Sequence, residues 1–237
     1  MTPGAGSGMW TVTAALLRPV WRSLPWRALG AAGGLGLLVA GGSRLLPGQA
    51  REAALGLVLL RLVALVGGLG LAFLLDDPAR PTTEAVPVRR PVRAGLRLAL
   101  VAPLLAAWWT ATLLLLPAAA RPPLGAVTLE AAATAGAALA LAASSVRFRA
   151  EPSPGTGMAV ALLTLTVAVL LLPRRWSLLV PPNDPNWAVA HQWWAVILGV
   201  AGLVWVTCTP EPLSRRPLKA RPPVTSPCGT SGPSRTS

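Results

Sequence analysis

The sequence predicts an all-α fold: a polytopic membrane bundle of six transmembrane helices, with cytoplasmic N- and C-termini and an amphipathic interfacial helix in front. Three observations lead there. Six long apolar stretches interrupt a chain of 237 residues that is 53% hydrophobic and only 12% charged. That is far more apolar surface than one soluble core needs to bury, and a bilayer is the natural solvent for the excess. The stretches are continuous and do not alternate with polar residues, which favours helices over barrel strands. Finally, the 21 Lys and Arg gather in every second gap between the stretches.

In chain order, residues 1–27 form an N-terminal segment. Within it MWTVTAALLRPVWRSLPWR, residues 9–27, sets Trp10, Leu17, Trp21 and Leu24 on one side of a helical projection and Thr11, Arg18 and Arg22 on another. That pattern reads as a helix lying in the membrane interface, bent at Pro19. A secretory signal would need a basic start, a short apolar run and a small-residue cleavage site in that order, and these are missing. The spans follow at about 28–46, 53–75, 94–116, 124–146, 155–172 and 192–209. A hydrocarbon core about 30 Å thick needs roughly 20 residues per helix, so six spans use about 120 residues and leave only loops and tails. The transmembrane domain is therefore 28–209, with no room for a separate soluble catalytic domain. Residues 210–237, rich in Pro, Ser, Thr and Gly, read as a disordered basic cytoplasmic tail.

Orientation comes from the cations. Arg18, Arg22 and Arg27 precede the first span, and Arg80, Arg89, Arg90, Arg93 and Arg97 lie between or at the edge of the second and third. Arg147 and Arg149 follow the fourth, and Arg215, Arg216, Lys219, Arg221 and Arg235 occupy the tail. The alternate gaps hold only Arg44 and Arg51, then Arg121, then Arg174 and Arg175. By the positive-inside rule the first set is cytoplasmic, as the even number of spans also requires. The net charge of +13 is broken up by apolar spans, which points to lipid headgroups rather than nucleic acid. The excess of Arg over a single Lys, with abundant Ala, Gly and Pro, suggests a GC-rich bacterial genome, and hence the plasma membrane.

Two links are more than connectors. FLLDDPARPTTEAVPVRRPVR, residues 73–93, is a Pro- and charge-rich cytoplasmic segment that reads as an arm against another surface or as a solvated loop. PRRWSLLVPPNDPNWAVAHQWW, residues 173–194, is the longest outer link and is rich in Trp. Trp187, His191, Trp193 and Trp194 therefore form a candidate outer-interface segment that lies among the headgroups or dips back into the protein.

Chemistry is sparse. A chain whose only Lys is in the tail has no G-x-x-x-x-G-K-[ST] loop and cannot be a P-loop ATPase by itself. One His and two distant Cys offer no metal set, and no cofactor is expected. Cys208 and Cys228 are too few and too badly placed for a disulfide framework. Asp76 and Asp77 precede Pro78 and read first as a helix end and turn. His191 reads as an interfacial anchor or, since imidazole ordinarily titrates near pH 6.5, about the physiological range, as a proton sensor.

Charges inside spans carry more weight, because each costs about 2.5–3.5 kcal/mol on insertion scales and usually faces protein or a cavity. Arg61 and Glu130 are the two candidates. Arg61 lies eight residues, roughly 12 Å, into the second span, and Glu130 six residues, roughly 9 Å, into the fourth. Both helices start on the same side, so the two side chains are expected to pair. The alternative is that Arg61 snorkels and Glu130 stays near the headgroups. Gly30 and Gly34 in the first span, and the Ala132, Gly136, Ala140 and Ser144 stripe in the fourth, read as packing faces.

The order of these parts resembles the membrane subunits of ABC-2-type exporters. FLLDDPA at 73–79, VPVRR at 86–90 and WAVAHQWW at 187–194 are similar to a group of actinobacterial ABC transporter permease-like membrane proteins. The resemblance implies a homo- or heterodimeric permease driven by a separate ATP-binding subunit. It also implies that Trp10 to Arg27 and Asp76 to Arg93 are the coupling surface, with Arg18, Arg22, Asp76, Asp77, Arg89 and Arg90 as candidate partner contacts. The Pro-rich inner link differs from the short helix usual there. A non-transporting accessory or assembly membrane protein stays open. A membrane-embedded enzyme would want converging acid, base or metal groups, so no enzymatic activity is expected.

Overall fold

The computed structural model describes residues 20–45, 53–74, 90–148, 155–173 and 176–209. These form six long or medium α-helices: α1 Trp26–Gly42, α2 Ala53–Ala72, α3 Arg90–Leu115, α4 Leu124–Phe148, α5 Gly155–Leu170 and α6 Trp187–Cys208. Short 3-10 turns at Ser43–Leu45 and Ala118–Ala120 follow α1 and α3, and there is no strand among the described residues. Prolines punctuate the chain: Pro25 precedes α1, Pro117 follows α3, and Pro123 offers its carbonyl to the Val127 amide at the start of α4. Pro103 sits inside α3 without ending it, as apolar spanning helices tolerate.

Five of the helices are long and apolar enough to cross a membrane: Trp26–Leu45, Ala54–Ala72, Ala94–Leu115, Leu124–Phe148 and Trp187–Cys208. The fold is that of a membrane-embedded helical protein. α5, with 16 residues, is about 24 Å long and falls short of a full hydrocarbon core. Polar groups within the helices are consistent with a dry setting. Thr110, Thr134, Ser144, Thr164 and Thr166 each return their hydroxyl to the carbonyl four residues back.

α2 and α4 pack against each other at the centre, with α1 on α2, α3 mainly on α1, α6 on α4, and α5 touching both central helices. Two apolar clusters mark the ends of the bundle. Ala40, Leu57, Leu60, Val63, Leu116 and Val127 form one, which unites the ends of α1 and α3 with the starts of α2 and α4. Leu24, Leu71, Leu74, Val101, Ala138 and Leu162 form the other. Large apolar side chains such as Leu38, Leu114, Leu163 and Leu203 are exposed on the flanking helices, the distribution expected of a lipid-facing surface.

Between α1, α2 and α3 the indole of Trp108 fills a notch made by glycines. Its Nε1 donates to the Gly33 carbonyl at 2.9 Å. A Cβ at Gly36 would run into the ring, and one at Gly67 would lie 2.9 Å from it. Gly30 and Gly34, the spacing the sequence singles out, have nothing within 4 Å of a notional Cβ, so the close approach uses other glycines of the same helix. The α4 stripe packs on α6: Gly136 faces Leu198 and Ala201, and the Ser144 hydroxyl reaches Cys208 Sγ.

Several boundaries move. α1 begins at Trp26, so Trp26 and Arg27 belong to the first long helix and not to the N-terminal segment. Residues 20–22 are helical and end at a turn closed by Ser23 on the Val20 carbonyl; residues 9–19 lie outside the described set. α6 begins at Trp187, five residues before the expected start of the last span, because no breaker follows Pro185. Trp187, His191, Trp193 and Trp194 are therefore the opening turns of α6, and the link before it ends at Asn186.

Candidate functional site: a buried charge cluster

The chain brings three ionisable side chains together near the end of the bundle where α2, α4 and α6 begin. Arg61 is on the third turn of α2, Glu130 on the second turn of α4 and His191 on the second turn of α6. Their depths match because each helix starts at the same end and each residue is four to eight positions in, roughly 6–12 Å. The surrounding faces are apolar, with Leu57, Leu60 and Val63 of α2 and Val127 and Ala133 of α4 all buried.

Arg61 and Glu130 meet fork to fork. Nε is 2.7 Å from Oε2 and Nη2 is 2.8 Å from Oε1, a bidentate, charge-assisted pair. The Glu130 side chain is only 4% exposed and that of Arg61 16%. Nη2 also donates to the Val180 carbonyl at 3.1 Å, which draws the link before α6 down onto the pair. Trp194 Nε1 donates to the Leu178 carbonyl of the same link at 3.1 Å. The link thus dips back onto the bundle, the second of the two placements the sequence offered.

His191 completes the group. Its Nδ1 lies 2.8 Å from the Trp187 carbonyl one turn back, and its ring stacks obliquely on Trp187 with centroids 4.2 Å apart. Nε2 lies 3.2 Å from Glu130 Oε1, within ion-pair range, yet its direction does not make a hydrogen bond and the atom is buried. Ahead of α6, Asp184 accepts from the Asn186 amide, an Asx turn that also places a carboxylate near a helix N-terminus. Trp193, also on the first turns of α6, is half exposed.

Elsewhere the arginines act on helix ends. Arg44 donates to the Leu115 and Leu114 carbonyls and Arg121 to those of Leu116 and Leu114, so two residues from different links cap the C-terminus of α3. At the opposite end Arg147 donates to the Thr207 carbonyl near the end of α6. Arg97, just inside the third span by the sequence and counted with the link before it, is buried in α3, where it reaches the Leu74 carbonyl and Ser23 Oγ.

Of the candidate partner surface, Arg22 is exposed and Arg90 is the first residue of α3. Arg18, Asp76, Asp77 and Arg89 lie outside the described residues. No group of three or more His, Cys, Asp or Glu side chains that could hold a metal occurs among the described residues. The cluster is thus a cation, an anion and an imidazole shielded from solvent, an arrangement able to bind helices together. No family model, curated protein or solved structure matches the chain.

Proposed function

We propose that the chain is the permease-like membrane subunit of an ABC transporter in a bacterial plasma membrane, energised by a separate ATP-binding subunit and working as a homo- or heterodimer. In this reading all six apolar helices cross the bilayer, both termini are cytoplasmic and the segment before Trp26 lies along the inner interface. The path of α5 supports the sixth crossing. Gly155 follows the end of α4, whereas the link after α5 hydrogen-bonds Arg61 at the opposite end of the bundle.

The observation that carries the reading is the ion cluster. Ionisable groups within apolar helices, such as Arg61 and Glu130, usually face the bundle interior and often serve passage or conformational change. The resemblance of residues 73–79, 86–90 and 187–194 to permease-like proteins gives that role its class. The absence of a P-loop from the whole sequence assigns ATP hydrolysis to another chain.

The test is purification of the tagged full chain from its native membranes in mild detergent, followed by an ATP hydrolysis assay. The expected result is a co-purifying nucleotide-binding subunit with ATPase activity, recovered less well when Arg89 and Arg90 are both replaced by Ala. A chain recovered without any nucleotide-binding subunit or ATPase activity overturns the reading in favour of an accessory membrane protein.

A further inference from the structure

Arg44 and Arg121 come from two different links and converge on one oxygen. Arg44 Nη2 donates to the Leu114 carbonyl at 3.0 Å, and Arg121 Nη2 donates to the same carbonyl at 3.2 Å. The two guanidinium groups therefore approach within about 6 Å and repel each other, more strongly at the edge of a low-dielectric bilayer than in water. The C-terminus of α3 offsets only part of this, since a helix end carries about half a negative charge against two positive ones. Neither arginine has a carboxylate partner among the described residues: Glu130 is taken by Arg61, and Asp184 by the Asn186 amide.

Both side chains are used in the same way. Each spends Nε and one N–H of Nη2 on carbonyls at the end of α3, Arg44 on Leu115 and Leu114 and Arg121 on Leu116 and Leu114. A guanidinium has five N–H donors, so three remain on each, and the edge between Nη1 and Nη2 stays open. That edge is a fork that matches two oxygens of a phosphate. The backbone fixes where both forks start. Arg44 sits in the 3-10 turn Ser43–Leu45, where Ser43 Oγ donates to the Ala40 carbonyl. Arg121 closes the turn Ala118–Ala120 with its amide on the Ala118 carbonyl, between Pro117 and Pro122. The start of α2 packs so closely on that turn that a Cβ at Gly56 would run into the Ala120 carbonyl.

The surroundings select a lipid over a soluble anion. Spanning helices leave the hydrocarbon here, at the ends of α1 and α3, so the forks lie at headgroup depth. Large apolar side chains stand exposed beside the cations: Leu45 next to Arg44, 84% exposed, Leu114, whose carbonyl both forks share, and Leu124 at the start of α4, three residues after Arg121. A free phosphate would satisfy the forks and leave these leucines uncovered. A phospholipid covers both.

We propose that Arg44 and Arg121 bind the phosphodiester of an anionic phospholipid, with Leu45, Leu114 and Leu124 against its acyl chains. The phosphate bridges the two open edges, neutralises the pair and ties the end of α1 to the link between α3 and α4. A zwitterionic lipid brings its own cation to the same place, where the arginines repel it, so the net charge of the headgroup sets the selectivity. The site rests on the membrane-embedded fold and not on an ATPase, and its failure would leave the transporter reading standing.

Photocrosslinking of lipid at single positions tests this. The full chain, with a benzophenone amino acid replacing Leu45 or, as the reference, the exposed Val200 within α6, is placed in nanodiscs of equal phosphatidylglycerol and phosphatidylcholine, and the captured lipid is identified by mass spectrometry. The expected ratio of phosphatidylglycerol to phosphatidylcholine at position 45 is about tenfold that at position 200, a factor that one charge-assisted phosphate contact supplies. Arg44→Gln together with Arg121→Gln keeps amide donors for the α3 carbonyls but removes both charges, and should bring position 45 down to the reference. Equal ratios at the two positions with both arginines present, or enrichment retained in R44Q/R121Q, would overturn the proposal. So would enrichment lost in inorganic phosphate but kept in sodium chloride of the same ionic strength, because the forks would then serve a soluble anion. The comparison of positions 45 and 200 needs no arginine variant, so it decides even if R44Q/R121Q does not fold.

Discussion

Removing one member of the Arg61–Glu130 pair should cost far more than removing both. In Glu130→Leu the guanidinium loses two charge-assisted hydrogen bonds and keeps only the Val180 carbonyl. It cannot shed its charge, since Arg stays protonated in proteins. Breaking a buried pair in this way costs about 3–5 kcal/mol, and the 16% exposure of the Arg61 side chain places the loss at about 3 kcal/mol, the low end. Arg61→Met leaves the Glu130 carboxylate, 4% exposed, without its partner and should also cost about 3 kcal/mol. The double variant leaves no stranded charge and should lie within about 1 kcal/mol of the wild type, or above it. Equilibrium unfolding in mixed micelles, followed through the fluorescence of the ten Trp, measures all three. Additive losses within about 0.5 kcal/mol would refute the reasoning, because they would show that the side chains do not interact.

Two further outcomes follow from the packing. Gly36→Ala should destabilise the fold by about 1–3 kcal/mol by driving a methyl into the Trp108 ring, and Trp108→Phe in the same chain should recover part of that loss; thermal unfolding of the single and double variants checks this. Arg44→Ala and Arg121→Ala should each cost no more than about 1 kcal/mol, because either arginine alone still satisfies the Leu114 carbonyl. Both together should lose more than the sum of the singles as the end of α3 is left uncapped, a non-additivity readable in the same unfolding assay.

The charge pair was legible as one of two placements, because opposite sign and similar depth, counted at about 1.5 Å per residue from helix starts that the apolar runs locate well, allow it, while snorkelling would have separated the two side chains. His191 was harder to place. Its Trp neighbours resemble an interfacial belt, which hides that α6 already runs through them, and only with the helix starting at Trp187 does His191 fall one turn in and face Glu130. Arg44, Arg121 and Arg97 illustrate a different gap. Counting cations by link gives each a side of the membrane, but which helix end or buried hydroxyl an arginine reaches depends on how the helices pack. The same holds for the glycines of α1: spacing marks Gly30 and Gly34, whereas the neighbour that needs room is Trp108, whose ring meets Gly33 and Gly36.

The central claim is a six-span bundle with both termini inside and the charge cluster toward the outer face. Single-cysteine accessibility in intact cells tests it most directly, in a background with Cys208→Ala and Cys228→Ala. Ala118→Cys and Asn183→Cys, at exposed positions in the two links beside the cluster, should react with a membrane-impermeant maleimide added outside. Arg22→Cys and Phe148→Cys, exposed at the other end, should react only after the membrane is opened. Labelling of positions 22 and 148 from outside, or of 118 and 183 on opposite sides of the membrane, would contradict the account.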